Sequence, residues 1–448
     1  MKNNFVIRVG FLEMALLAEE DCVRPPRVAI LYHYMHPDDV VSAHHFDGVA
    51  EDLAGQGWSV EALPCNRGCR EEGRTYSSRE VHKGVLYRRV WRPKFRQASF
   101  MGRLANAVWM IVAWSRLGFR RRIYRPDAVL VGTDPVFAVI VAIPLKVLAP
   151  KIKVVHWCFD MHPEAALASG VLQSSSLSVR LMQAIIRWAY NRCDIIADLG
   201  PCMRRRLRVY GHRAHEVELT PWALGEYPEP VKADPDTRRE LFGDASLALL
   251  YSGNFGEAHS FEELLRLARL LRTEPGIHFC FAVRGNRSHA LKEAVTEEDH
   301  NVSFAGFASL AELEKRLGSA DIHMASLRPE WSGIAVPSKF FGSLAAGRPV
   351  VFAGGGDSGV AEWIRRYEVG WHLAPDGVEE VAHVLRELAR NPSSLREIQE
   401  HCHCIYQNHF SRKRMTREWD DLLRLHTERT VRSHHARSSE RKPLGSEE

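Results

Sequence analysis

A chain of 448 residues with 45% hydrophobic content is long enough for two or three domains with separate cores. Its net charge of +5 is small for that length, and the basic clusters at 116–125 and 204–208 come with no nucleic-acid-reading motif, which argues against a nucleic-acid partner and for surfaces facing phosphates or anionic lipid. Nine cysteines, scattered and odd in number, make no disulfide framework and fit a reducing cytoplasm.

Residues 1–22 are mildly apolar, but Arg8, Glu13, Glu19 and Glu20 interrupt them and no small-residue cleavage site follows, so they do not read as a signal peptide. No apolar run reaches the roughly 18–20 residues of a membrane span. Val28 to Tyr32 read as a buried parallel strand, followed by a loop over 33–42, a helix over 43–55 closed by Gly57, and a strand over 60–63. This is the opening of a doubly wound sheet, with ligands expected beyond the strand ends. Asp38 and Asp39 read as helix caps. A strand over 85–91 precedes a long helical stretch over 101–124. Its apolar residues Leu104, Val108, Trp109, Ile111, Val112, Trp114 and Leu117 run into the basic end Arg116, Arg120, Arg121 and Arg122. That pattern fits a helix in a membrane interface and equally a helix packed on the sheet with a solvated basic end. The next strand, 126–131, ends at Gly132-Thr133-Asp134-Pro135, and a helix over 136–148 follows.

The strand over 154–157 delivers Cys158 to Glu164 to its carboxyl end, where a doubly wound sheet places its chemistry. Asp160 and Glu164 are the candidates there, with a turn cap and a helix N-terminal charge as the plainer reading. Further elements follow at 193–197, 203–210 and 217–222, and a Pro-, Glu- and Asp-rich stretch over 223–246 reads as a linker. A second αβ series then begins. Gly253-Asn254-Phe255-Gly256 follow a strand over 249–252 and precede a helix over 261–271, a placement that lets backbone N–H groups close on a diphosphate. The strand over 279–283 leads to Arg284-Gly285-Asn286-Arg287, and a strand over 320–324 leads to a loop with Glu330, Trp331, Ser332 and Gly333. Pro337 then fixes the chain ahead of a short helix whose first residues, Ser338 and Lys339, suit an anion, while Gly347 stops it and Arg348-Pro349 turn into a buried strand. Cys65 with Cys69, and His401 to Cys404, lack metal-site spacing, so no metal is expected. The tail after about 425 is charged and apolar-poor, and disorder is expected there.

The stretch 336–353, with Pro337-Ser338-Lys339 and then Leu344-Ala345-Ala346-Gly347-Arg348-Pro349, resembles the donor-site segment of the family-4 glycosyltransferases, in the bacterial branch that builds cell-surface polysaccharides. Asp160-Met161-His162-Pro163-Glu164, with Gly170 after it, resembles the Asp-x-x-Pro-Glu turn of the same branch. The resemblance covers residues 28–425. It departs at the glycine-free first loop, at Phe159 where distant members carry a histidine, at Pro221 in place of an asparagine, at Glu257 to His259 where a basic residue is usual, and at Ile334 and Gly342 where paired glutamates would fall.

The resemblance implies an α/β protein of two Rossmann-like domains facing a cleft, the GT-B architecture, with a C-terminal helix crossing back to the first domain. The segments would be an N-terminal extension (1–25), an acceptor-side domain (26–225), a linker (226–246), a nucleotide-sugar domain (247–395), crossover helices (396–426) and a disordered tail (427–448). The implied reaction moves a sugar from a UDP- or GDP-sugar to an acceptor hydroxyl with retention, the acceptor being a lipid-linked glycan. Asp160, Glu164 and Lys339 would be catalytic, and Gly253, Asn254, Gly256, Arg284, Glu330, Ser332, Pro337 and Ser338 would bind the donor. Neither cofactor nor metal is expected, and the location implied is cytoplasmic with a peripheral contact on the inner face of the plasma membrane. A non-catalytic scaffold and a sugar-nucleotide epimerase of the same fold are the alternatives.

Overall fold

The computed structural model describes residues 24–439, apart from residues 39, 70, 72, 96–98 and 122–124. The expectations for the N-terminal extension up to residue 23, for Asp39 and Arg122, and for 440–448 lie outside the described residues.

Two sheets make up the molecule. The first has eight strands, β1 (Arg27–Leu31), β2 (Ser59–Ala62), β3 (Arg79–His82), β4 (Val85–Arg88), β5 (Ala128–Val131), β6 (Lys153–Trp157), β7 (Ile195–Asp198) and β8 (His215–Glu218), in the order β3-β4-β2-β1-β5-β6-β7-β8. All neighbours are parallel except the β3–β4 pair. Helices cover both faces, so β5 and β7 are buried at every position and read in sequence as unbroken apolar runs. The β3–β4 hairpin, where a single strand is expected, turns on Lys83 and Gly84, both at positive φ (45° and 79°), the geometry of a two-residue hairpin loop. The expected helix over 101–124 is an α-helix over Phe100–Ser115 extended by one tighter turn, Arg116–Phe119.

The second sheet has six parallel strands, β9 (Leu247–Asn254), β10 (Ile277–Arg284), β11 (Val302–Phe304), β12 (Ile322–Leu327), β13 (Val350–Gly354) and β14 (Gly370–Leu373), in the order β11-β10-β9-β12-β13-β14. The stretch expected as a linker over 226–246 holds a helix, Pro235–Phe242. Asp234 caps it through a 3.0 Å bond from Thr237 N, Pro235 starts it, and Leu241 and Phe242 bury against Ala248, Leu250, Cys280 and Ala282 of the second sheet. Its acidic, proline-bearing start resembles a linker, and only its last turn carries the apolar anchor.

The chain closes by returning to the first domain. After the helix Pro392–Ile405, a helix over Arg412–Ser439 lays Trp419 into the first core at 5.1 Å from the Trp157 ring, and Trp58 Nε1 donates to Asp420 at 2.6 Å. Arg412 fixes the crossing through Asp52 (2.8 Å) and Glu51 (3.2 Å). The helix runs to Ser439, past residue 427 where the sequence predicts disorder; arginine-rich polar runs keep helical propensity without a core face.

Candidate active site

On the C-terminal side the site is assembled at the carboxyl ends of β9 and β10. β9 extends to Asn254, so Gly253 and Asn254 are paired with Val283 and Arg284 rather than free in a loop. Gly253 has φ +133°, and a Cβ there would lie 2.9 Å from Lys339 Cε. The missing side chain is what admits the lysine. Lys339 Nζ donates to Asn254 O at 2.7 Å, lies 3.5 Å from His259 Nε2 and sits 5.2 Å above the Tyr251 ring. Burial strips water from the ammonium and pulls its pKa down to about 7. His259 is held by Ser326 O, 2.7 Å from Nδ1, so Nε2 is the nitrogen left to face the lysine. Burial first, and the Lys339 charge second, lower its pKa to about 3 and keep it neutral.

Two loops lock beneath this lysine. Arg287 Nη1 donates to His259 O at 2.7 Å and Asn286 Nδ2 to Glu257 Oε1 at 2.6 Å, while Gly285, at φ +133°, lies where a Cβ would meet Phe255 O at 2.5 Å. Gly256 borders the Asn254 side chain. Arg284 is exposed and stacks its guanidinium 3.6 Å over the Phe307 ring. Pro337 is buried, and Ser338, exposed at the start of the helix Lys339–Ala345, makes no side-chain cap bond. Ser332 is buried with Oγ donating to Asp357 Oδ1 at 3.2 Å, and the exposed Glu330 carboxylate lies 3.6 Å from Arg328.

The N-terminal side contributes the turn after β6. Met161 N, one residue beyond Asp160, donates across the gap to Ile334 O at 3.1 Å, so Asp160 stands where the two domains meet. Asp160 is open to solvent, yet the surrounding protein chiefly, and the Asp134 charge after it, push its pKa up to about 6. Asp134 is in turn paired with buried His33 (3.4 Å). Burial alone would lower His33, but the Asp134 carboxylate, with help from Cys65, outweighs it and raises His33 to about 9. Glu164 is turned differently. Tyr210 donates to its Oε1, and Oε2 is enclosed without a hydrogen-bond partner among the described residues. Arg206, from the helix Pro201–Arg208, reaches across to donate to Ser332 O and Glu330 O, and Gly333 lies against Cys202 O. The loop expected at the donor sugar is thus gripped from the opposite domain. Where the resemblance places glutamates, Ile334 is buried in the first core and Gly342 faces open space.

Two family models match the chain, "Glycosyl transferase 4-like domain" over residues 42–223 and "Glycosyl transferases group 1" over residues 246–391. The chain is a GT-B glycosyltransferase of the family-4 type. Among curated proteins, this glycosyltransferase is 24% identical over 271 residues to the probable glycosyltransferase WbjE of Pseudomonas aeruginosa, covering 60% of this chain and 67% of that one. It is 24% identical over 311 residues to the putative colanic acid biosynthesis glycosyl transferase WcaI of Escherichia coli K12, covering 67% and 76%. Among solved structures, sucrose-phosphate synthase of Thermosynechococcus elongatus superposes with a TM-score of 0.67 at 13% identity, covering 90% and 99%. HepE of Anabaena in complex with UDP gives 0.59 at 12%, covering 89% and 99%. At these identities the structures establish the fold. The glycosyltransferase keeps Gly253, Asn254 and Lys339 in one cluster and Asp160 at the seam between domains, while Arg284, Glu330 and Glu164 each hold a separate partner. Sequence reasoning passed over His259, Asp134, His33 and Arg206. His259 and Asp134 carried a signal in their position just beyond strand ends; Arg206 stood out only as part of the basic cluster 204–208, which suggested phosphate or lipid rather than the Ser332 and Glu330 carbonyls it holds.

Proposed function

We propose that this glycosyltransferase moves a sugar from a UDP- or GDP-sugar to a hydroxyl of a lipid-linked glycan, with retention at the anomeric carbon, in surface polysaccharide synthesis. The observation that carries the reading is the lysine cluster: Nζ of Lys339, fixed on Asn254 O beside neutral His259, at the carboxyl end of β9 and across the seam from Asp160. Breaking the bond between the anomeric carbon and the diphosphate leaves negative charge on the departing oxygen, and a desolvated ammonium responds to that charge more strongly than one in water. Asp160 orients the acceptor hydroxyl or takes its proton. Gly256 and Ser338 line the diphosphate, with Arg284 as an outer cation. The names of WcaI and of the UDP complex of HepE favour a polysaccharide product and a uridine donor.

A membrane-bound acceptor is favoured by one face of the first domain. Trp91, Met101, Val108, Val112 and Phe119 are each more than half exposed, with Arg103, Arg116 and Arg121 exposed beside them. The neighbouring elements add Val147, Leu177, Leu181 and Trp188. No helix among the described residues is long and apolar enough to cross a membrane, so such a face would rest in the headgroup layer. The deciding experiment incubates the protein with labelled UDP- and GDP-sugars and a bacterial membrane extract and reads the anomeric configuration of the product by NMR. Transfer with retention is expected; inverted product, binding without turnover, or isomerised free donor would each replace this reading.

A further inference from the structure

We propose that His36, Glu80 and His82 form a binding site for one divalent transition-metal ion of the zinc type, which ties the loop after β1 to the β3–β4 hairpin at the edge of the N-terminal sheet. One ligand atom from each residue lies within 4.8 Å of the others, with His36 Nε2 3.6 Å from Glu80 Oε1. Glu80 and His82 are two apart on β3 and so share a strand face, and the Lys83-Gly84 turn fixes the end of that strand.

The supporting contacts leave the ligand atoms available. Arg89 Nη2 donates to Glu80 Oε2 at 2.8 Å and to His36 O at 2.8 Å, and His36 N donates to Asp47 Oδ2 at 2.9 Å. The carboxylate is therefore held by one oxygen and offers the other, and the His36 backbone is pinned at both ends. Neither ring nitrogen of His82 has a hydrogen bond among the described residues. The two imidazoles lie face to face, centroids 3.9 Å apart and planes 9° from parallel. In that pose their lone pairs run side by side. Sharing one ion at the ~2.0–2.1 Å of imidazole–zinc bonds requires the two rings to leave this stacked pose, and His82 is a partly exposed side chain on the outermost strand. Two imidazoles and one carboxylate suit zinc, with water in the fourth position, and do not suit calcium or magnesium, which take oxygen donors. The loop so fixed carries His33, the partner of Asp134, so occupancy would stiffen the acceptor side of the cleft.

The test uses the full chain, stripped with chelator and titrated with Co2+ in the visible region and with Zn2+ by calorimetry. One equivalent of Co2+ with a four-coordinate d–d band, displaced by Zn2+, is expected. His82→Ala should weaken both metals at least tenfold and abolish any zinc-induced rise in Tm, while the metal-free Tm stays that of the parent protein; Glu80→Gln should act in the same direction. A parent protein that binds no Co2+, or a His82→Ala protein that binds it as tightly through other histidines and cysteines, overturns the assignment.

Discussion

On the C-terminal side of the cleft the polar groups satisfy one another: Lys339 rests on Asn254 O, His259 on Ser326 O, Asn286 on Glu257 and Arg287 on His259 O. On the N-terminal side the charge that acts on Asp160 among the described residues is another carboxylate, Asp134. Both sides nonetheless arrive at the same electrostatic condition. Burial around the lysine, and the protein around the solvent-open aspartate, push each toward its neutral form, to about 7 and about 6. The difference lies in what relieves them. In the proposed function a diphosphate would restore the charge on Lys339, whereas Asp160 would meet the acceptor hydroxyl. One side is a cluster of mutually bonded polar groups, and the other is a carboxylate whose charged neighbour is a second carboxylate.

The sharpest way to break this contrast is Asp160→Asn, expected to lower kcat by about 10²–10⁴-fold in a transfer assay if the carboxylate moves the acceptor proton. Lys339→Ala should raise the barrier by about 2–4 kcal/mol, read as kcat under saturating donor; an unchanged rate removes the lysine from the site. The two titrations predict a narrow bell for kcat/KM against pH. A base with pKa about 6 is active only when deprotonated, so activity climbs through that value. A lysine with pKa about 7 is active only when charged, so activity falls above it. Asp160→Asn should erase the acid limb, and Lys339→Arg, which stays charged, should erase the alkaline limb from whatever activity it keeps. Gly253→Ala should weaken UDP or GDP binding by about 1–3 kcal/mol in calorimetry through its strained φ and the Lys339 collision. In a Lys339→Ala background the same change should cost less, because only the backbone strain remains. The smallest effect is expected for Arg206→Ala, about 1 kcal/mol, seen as a severalfold higher donor KM with kcat nearly kept.

The clustering on the C-terminal side was the more legible half. Gly253 and Lys339 are 86 positions apart; Gly253 sits at the end of a strand that its own apolar run announces, whereas Lys339 starts the short helix between β12 and β13. Asp160 was legible for the same reason. For Glu164 the sequence shows a carboxylate at a helix start but cannot show Tyr210 closing over it. The helix Pro235–Phe242 was hidden because its anchor is two residues long.

By itself the sequence determined the two αβ series and most of the strands within them, since these follow from local periodicity and turn chemistry. Only the tertiary structure decided that burial pulls the Lys339 pKa down, that the Asp134 carboxylate raises that of His33, and that Arg206 holds the opposite domain's loop. Basicity and cross-domain grip depend on which distant groups displace water from one another, and that is settled by packing.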